Sequence, residues 1–112
     1  MRRGEIWWAS LGEPSGSEPG FRRPIVIVSA NILNDSRLKT VVTVPITGNL
    51  THEHFAGYVR LPTQGTGLSK ASVALVSLVG STNRLLLTER IGRVPDRLMA
   101  EIDSGLRLVL AL

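Results

Sequence analysis

The chain has 112 residues, no cysteine and a net charge of +4. That length suits a single domain over residues 1–112, since a second would be too small to bury its own core. The missing cysteines exclude a disulfide framework and a thiolate metal site. No apolar stretch reaches the ~18–20 residues of a membrane span. The start Met1-Arg2-Arg3-Gly4-Glu5 is charged and lacks the apolar run of a signal peptide. A soluble, cytoplasmic protein with no membrane contact is therefore expected. Eleven of the 13 basic residues are arginine. The arginine fork suits phosphate, and a basic balance favours nucleic acid or an acidic protein partner. Ordinary solubility or a coding bias accounts for the charge equally well.

In chain order, residues 4–10 read as a first strand with Trp7 and Trp8 on opposite faces. Residues 11–22 form a loop rich in glycine and proline. The run Ile25-Val26-Ile27-Val28 is β-branched without interruption, as in a strand covered on both faces. Residues 30–36 read as a short helical turn or loop. Residues 40–47 form another β-branched strand, in which Pro45 implies an edge, a bulge or a break in the ladder. A polar loop, 48–55, leads to a short strand at 56–61 and a loop at 62–70. Residues 72–79 read as a strongly apolar strand and 87–94 as another. After Pro95, apolar residues at 98, 99, 102, 106, 109 and 110 have helical spacing. The expected fold is mainly β with a C-terminal helix: a small, strongly bent sheet or barrel closed by that helix. Leu85-Leu86-Leu87 and the helix offer more apolar surface than so small a barrel can bury, so a homodimer is expected.

Chemistry concentrates in Gly16-Ser17-Glu18-Pro19-Gly20-Phe21-Arg22-Arg23-Pro24. Cutting RNA without a metal needs a base for the 2′-hydroxyl, an acid for the leaving oxygen and a cation for the phosphorus. Glu18 offers a carboxylate on a glycine-flanked loop. Arg23 precedes a proline, which favours extended backbone, at the mouth of a buried strand. Thr47 ends the third strand, where a hydroxyl could hold a phosphate oxygen. Taken singly, a surface ion pair explains Arg23, a solvated loop acid Glu18, and plain β-propensity Thr47.

The segments Arg3-Gly4-Glu5-Ile6-Trp7, Gly16-Ser17-Glu18, Arg23-Pro24-Ile25-Val26-Ile27-Val28, Val44-Pro45-Ile46-Thr47 and Leu87-Thr88-Glu89-Arg90-Ile91-Gly92-Arg93-Val94 are collinear over nearly the whole chain. Together they resemble the MazF/PemK/Kid family of toxin–antitoxin toxins. The resemblance implies a small SH3-like, plasmid-toxin barrel that dimerises, with RNA in a groove between subunits. It implies a sequence-specific, metal-independent endoribonuclease that cuts single-stranded RNA and so inhibits translation and growth. The products carry a 2′,3′-cyclic phosphate and a 5′-hydroxyl, and no cofactor is required. A cognate antitoxin with an acidic, initially disordered segment covers the groove. By motif, Arg23 takes phosphate stabilisation with proton donation as a second role, Thr47 holds the scissile phosphate, and Glu18 is the general base. Ser17, Phe21, Arg22, Asn49 and Ser77 are the expected RNA contacts.

The departures from the family pattern carry information. Pro19 stands where many members have Gln, and Ser17 where some have His. Gly80-Ser81-Thr82-Asn83 replaces an Arg-Thr-x-Asp segment whose Arg and Asp are catalytic in some members. Ser77 and Leu78 replace a larger polar pair that reads bases. A cleavage motif different from that of the best-known members is expected. His52 and His54 could form an acid–base pair, but no third metal ligand accompanies them and a solvated loop explains them. Gly65-Thr66-Gly67 lacks the phosphate-loop pattern and reads as a turn. Trp7 and Trp8 could stack on bases or serve packing. A gyrase-poisoning toxin of the same fold and a non-catalytic RNA-binding barrel are the competing readings.

Overall fold

The computed structural model describes residues 1–12, 21–51 and 53–112. Seven antiparallel strands form one bent sheet, a half-barrel: β1 (Glu5–Gly12), β2 (Phe21–Ile27), β3 (Thr40–Thr47), β4 (Val59–Leu61), β5 (Ser72–Ala74), β6 (Gly80–Asn83) and β7 (Leu87–Arg93). The strand order is β4-β5-β3-β2-β1-β7, with β6 also on β3. A short helix α1 (Asn31–Asn34) follows β2, and the helix α2 (Asp96–Leu110) ends the chain.

The β-branched run in β2 is covered on both faces, as its composition implies. Val26 and Val28 join Ile6, Val44, Ile46, Val76 and Ile102 in the larger core. Ile25 and Ile27 join Ala9, Val41 and Leu87 in a smaller one on the other side. Helix α2 buries Leu98, Met99, Ile102 and Gly105, and each large apolar side chain buried there contributes about 1.5–3 kcal/mol. A Cβ on Gly105 would lie 2.3 Å from the carbonyl oxygen of Gly57, so glycine lets the helix approach that loop. Arg3 ties the layers together. Its N–H donates to Asn31 Oδ1 (2.7 Å), its Nε to the Val28 carbonyl (2.9 Å), and its guanidinium pairs with Asp103 on α2.

Pro45 marks a break in the ladder. Upstream of it β3 pairs with β6, Thr43 against Gly80; downstream it pairs with β5, Ile46 against Ala74. The missing N–H of Pro45 falls in the gap between the two partners, and its carbonyl accepts from Leu75 N–H at 2.8 Å. This corrects the expectation of one strand over residues 72–79. The segment is β5, then a 3₁₀ turn at Val76–Leu78, then β6. The chain must step from one half of β3 to the other around the proline. Residues 80–83 thereby become a strand: Thr82 bonds Thr43, hydroxyl to hydroxyl, at 2.8 Å. Asn83 Oδ1 accepts from Leu85 N–H at 2.9 Å.

Two further boundaries differ. The strand expected at 56–61 begins only at Val59, because Gly57 has φ +84° and Tyr58 N–H closes a turn onto the Phe55 carbonyl. Strand β2 begins at Phe21 rather than Ile25, because β1 runs on to Gly12 and offers backbone partners to Arg22 and Arg23.

Candidate functional site

The later start of β2 relocates the central arginine. Arg23 does not stand at the mouth of the strand but is its third residue, opposite Ala9 on β1. It is half-buried. Alternation puts its side chain on the face of Phe21 and Ile25, and its guanidinium carbon lies 5.0 Å from the centre of the Phe21 ring. That cation–π contact, about 0.5–1 kcal/mol when exposed, orients the group without neutralising it.

Thr47, half-buried, closes β3 opposite Val73 of β5. The register of β2 and β3 pairs Ile27 with Thr43, Val26 with Val44 and Ile25 with Pro45. The ladder stops there because Pro24 has no N–H to give. Carried two residues further, the same register sets Arg23 across from Thr47, both on the same face. Arg23 and Thr47 thus stand each two residues beyond the last paired positions, at the same end of neighbouring strands. Asn49 N–H donates to Thr47 Oγ1 at 3.2 Å, which orients the oxygen and leaves the hydroxyl hydrogen available to a ligand.

Most other arginines are already committed. Arg2 pairs with Asp35, Arg3 with Asp103, Arg60 with Glu53, Arg90 with Glu5 and Arg93 with Asp96. Arg84 donates to the carbonyls of Leu38 and Leu33. Among the described residues no carboxylate pairs with Arg22 or Arg23. Among the described residues, two arginines without a carboxylate partner therefore stand together near the start of β2.

The other expected residues divide. Phe21 and Arg22 lie beside Arg23, and the Arg22 guanidinium carbon sits 4.6 Å over the Trp8 ring on the opposite face of the sheet. Asn49 is exposed in the turn after Thr47, where its Oδ1 accepts from the N–H and hydroxyl of Thr51 at 3.0 and 2.6 Å. Ser77 is drawn elsewhere: its hydroxyl bonds the Tyr58 hydroxyl at 2.7 Å, on the 3₁₀ turn that packs against α2. Ser17, Glu18 and His52 lie outside the described residues. His54 is almost fully exposed and faces Glu53 at 3.5 Å. Among the described residues no three His, Cys, Asp or Glu side chains cluster as metal ligands do.

One residue that sequence reasoning passed over stands near this site. Lys70 lies against the turn after Thr47: a Cβ on Gly48 would fall 2.1 Å from Lys70 Cε and 2.7 Å from its Nζ. A lysine is a rare residue in this arginine-rich chain, whose only others of its type is Lys39. That rarity, just after the Gly65-Thr66-Gly67 segment, was the available signal.

Comparison with known proteins places the chain in a family. The family model described as "PemK-like, MazF-like toxin of type II toxin-antitoxin system" matches residues 2–110. The chain is 46% identical over 112 residues to Endoribonuclease MazF6 of Mycobacterium tuberculosis, covering all of this chain and 98% of that protein. It is equally similar to Endoribonuclease MazF2 of Mycobacterium bovis. Among solved structures, a MazE–MazF crystal structure from Deinococcus radiodurans aligns with a TM-score of 0.82 at 24% identity, covering 100% of this chain and 96% of that one. An endoribonuclease in complex with its cognate antitoxin, from a mycobacterial species, aligns at 0.77 and 22% identity, covering 100% and 94%. At that identity the structures speak for the fold.

Proposed function

The chain belongs to the PemK-like, MazF-like toxins of type II toxin–antitoxin systems, and from that premise we propose that it is an endoribonuclease cutting single-stranded RNA at a short sequence by attack of the 2′-hydroxyl. The observation that carries this reading is the placement of Arg23, which has no carboxylate partner among the described residues, and of Thr47 at the same, parted ends of β2 and β3.

The steps follow from the groups available. The 2′-hydroxyl loses its proton to Glu18, the carboxylate that the family motif assigns to this task. Its oxygen attacks the adjacent phosphorus in line. Arg23 meets the charge that builds on the non-bridging oxygens, and the Thr47 hydroxyl donates to one of them. The P–O5′ bond breaks, leaving a 2′,3′-cyclic phosphate and a 5′-oxygen. Arginine holds its protons too tightly to surrender one outright. Arg23 therefore hydrogen-bonds the leaving oxygen, and water completes its protonation. The fixed cation supplies the charge that a metal supplies in other nucleases, so the reaction needs none.

Two copies of the chain would form the RNA groove, and an antitoxin with an acidic segment would close it. Support comes from exposed apolar surface: Leu85 is 89% exposed and lies with Leu38 on a cleft of about 500 Å³ that Arg37 and Lys39 also line. Restriction of RNA cutting to messenger targets would arrest translation and growth. The test is to incubate the purified protein with a long RNA in the presence of EDTA and map the new 5′ ends. Cuts at a recurring short sequence with 5′-hydroxyl ends are expected; random cuts, or none, would refute the reading.

A further inference from the structure

A second cleft opens beside the same strand ends, on the other face of the sheet. It has a volume of about 240 Å³, and its walls include Trp8, Pro24, Leu68, Lys70, Ser72 and Ile91. Trp8 and Pro24 are cross-strand partners and make one flat apolar wall. The Arg22 guanidinium lies 4.6 Å over the same indole and covers one of its faces, leaving the cleft the remainder of the ring. The opposite wall is the connection between β4 and β5, residues 62–71, which has no strand or helix of its own.

That connection is nevertheless held firmly. Thr66 is 1% exposed. Its hydroxyl donates to the Pro62 carbonyl at 2.6 Å and accepts from Leu68 N–H at 3.2 Å. Gly67, at φ +82°, lets the chain pass so close to β7 that a Cβ there would lie 2.5 Å from the Ile91 carbonyl oxygen. The Ser72 hydroxyl donates to the Lys70 carbonyl at 2.9 Å and anchors the far end. The outcome of this anchoring is a fixed Lys70, whose ammonium stands beside Gly48, one residue past Thr47, without a carboxylate partner among the described residues.

We propose that this cleft binds one nucleotide of the RNA, next to the scissile phosphate, with its base against Trp8 and Pro24 and its phosphate on Lys70. The inference rests on the ribonuclease reading and extends it. An RNA strand crossing the parted ends of β2 and β3 would set its scissile phosphate on the Arg23–Thr47 face. The neighbouring nucleotide would then reach the Lys70 face. Aromatic side chains take any base by stacking, and the compact lysine ammonium acts as a point charge for phosphate. Lys70 is thus a substrate-positioning residue and does not touch the reacting bond.

The test uses full-length protein and its cleaved RNA sequence with a 2′-deoxy sugar at the cut site, which binds but cannot react. Lys70→Met should weaken binding about tenfold, within the range expected for one lost phosphate contact and a loosened stacked base. It should also make the plot of log affinity against log salt shallower by about 0.7, the value for one phosphate on a single strand. On cleavable RNA, KM should rise with kcat retained, and Lys70→Arg should restore most of the affinity. Tryptophan emission should be quenched by the RNA, and the quench should survive Trp7→Phe. Unchanged affinity and salt slope in Lys70→Met, or a quench lost with Trp7, would overturn the proposal while leaving wild-type cutting intact. A wild-type protein that cuts no RNA would overturn the ribonuclease reading itself, and this proposal with it.

Discussion

Gly92 of β7 presses on Thr66: a Cβ at position 92 would stand 2.1 Å from the Thr66 carbonyl oxygen and 2.8 Å from its carbonyl carbon. Both contacts are to backbone, so nothing flexible can yield. Gly92→Ala must push the 62–71 connection off β7. A cost of about 1–3 kcal/mol is expected, as for other overpacked sites, read as a lower urea midpoint. If the connection positions Lys70 as proposed, KM for RNA should rise in the same variant.

The helix supplies a plain test of the fold. Ile102 is fully buried in the larger core, so Ile102→Ala should cost about 2–5 kcal/mol. A urea melt monitored by circular dichroism reads this directly. A loss well under 1 kcal/mol would mean that α2 does not cover the sheet as described.

Glu5 predicts a pH dependence. Burial raises its carboxyl pKa, but the Arg2 N–H, the Trp7 indole and the Arg90 guanidinium outweigh burial and hold it below the ordinary value of 4.5. A carboxyl lowered by folding stabilises the native state above its unfolded pKa, and that contribution is lost as pH falls through the folded value. Stability should therefore decline below pH ~4.5, and Glu5→Gln should be less stable than the wild type at pH 7 and show less of that decline. Parallel denaturant titrations at pH 7 and pH 4 check both.

Much of this was legible from residue patterns, and the errors have physical causes. The run at Ile25–Ile27 announced a strand buried on both faces because β-branched residues filled both alternations. The helix after Pro95 announced itself through its spacing. The splitting of residues 72–83 was not legible. It depends on β3 changing partners around Pro45, and a proline in a strand signals a break without saying what lies on either side. Arg23 and Thr47 were legible as candidates, but their standing at the same end of neighbouring strands is a matter of register, which only pairing reveals. The bond from Ser77 to Tyr58, 19 positions away, was not legible because nothing local shows it. Lys70 was overlooked because its nearness to Gly48 is created by a long connection with no periodic pattern.

Thr47 separates binding from chemistry. Thr47→Val keeps the β-branched shape and removes the hydroxyl that accepts from Asn49 N–H. The kcat for RNA cleavage should fall about 10²-fold, the usual loss for one donor to a developing oxyanion, with the melting temperature little changed. Equal kcat in the two proteins would remove Thr47 from the mechanism.

The exposed Leu85 tests assembly. A charge at this 89% exposed position costs an isolated monomer little. Leu85→Asp should leave the fold intact by circular dichroism and shift sedimentation from dimer to monomer. A dimer that persists unchanged would place the subunit contact elsewhere.

The most direct measurement is the single-turnover rate of cutting by Arg23→Ala, compared with the wild type on the same RNA and with 5′ ends mapped in both. Arg23 lacks a carboxylate partner among the described residues, so its loss should leave a folded protein with cutting abolished at every wild-type site. Cuts that persist at those sites, at an undiminished rate, would contradict the account.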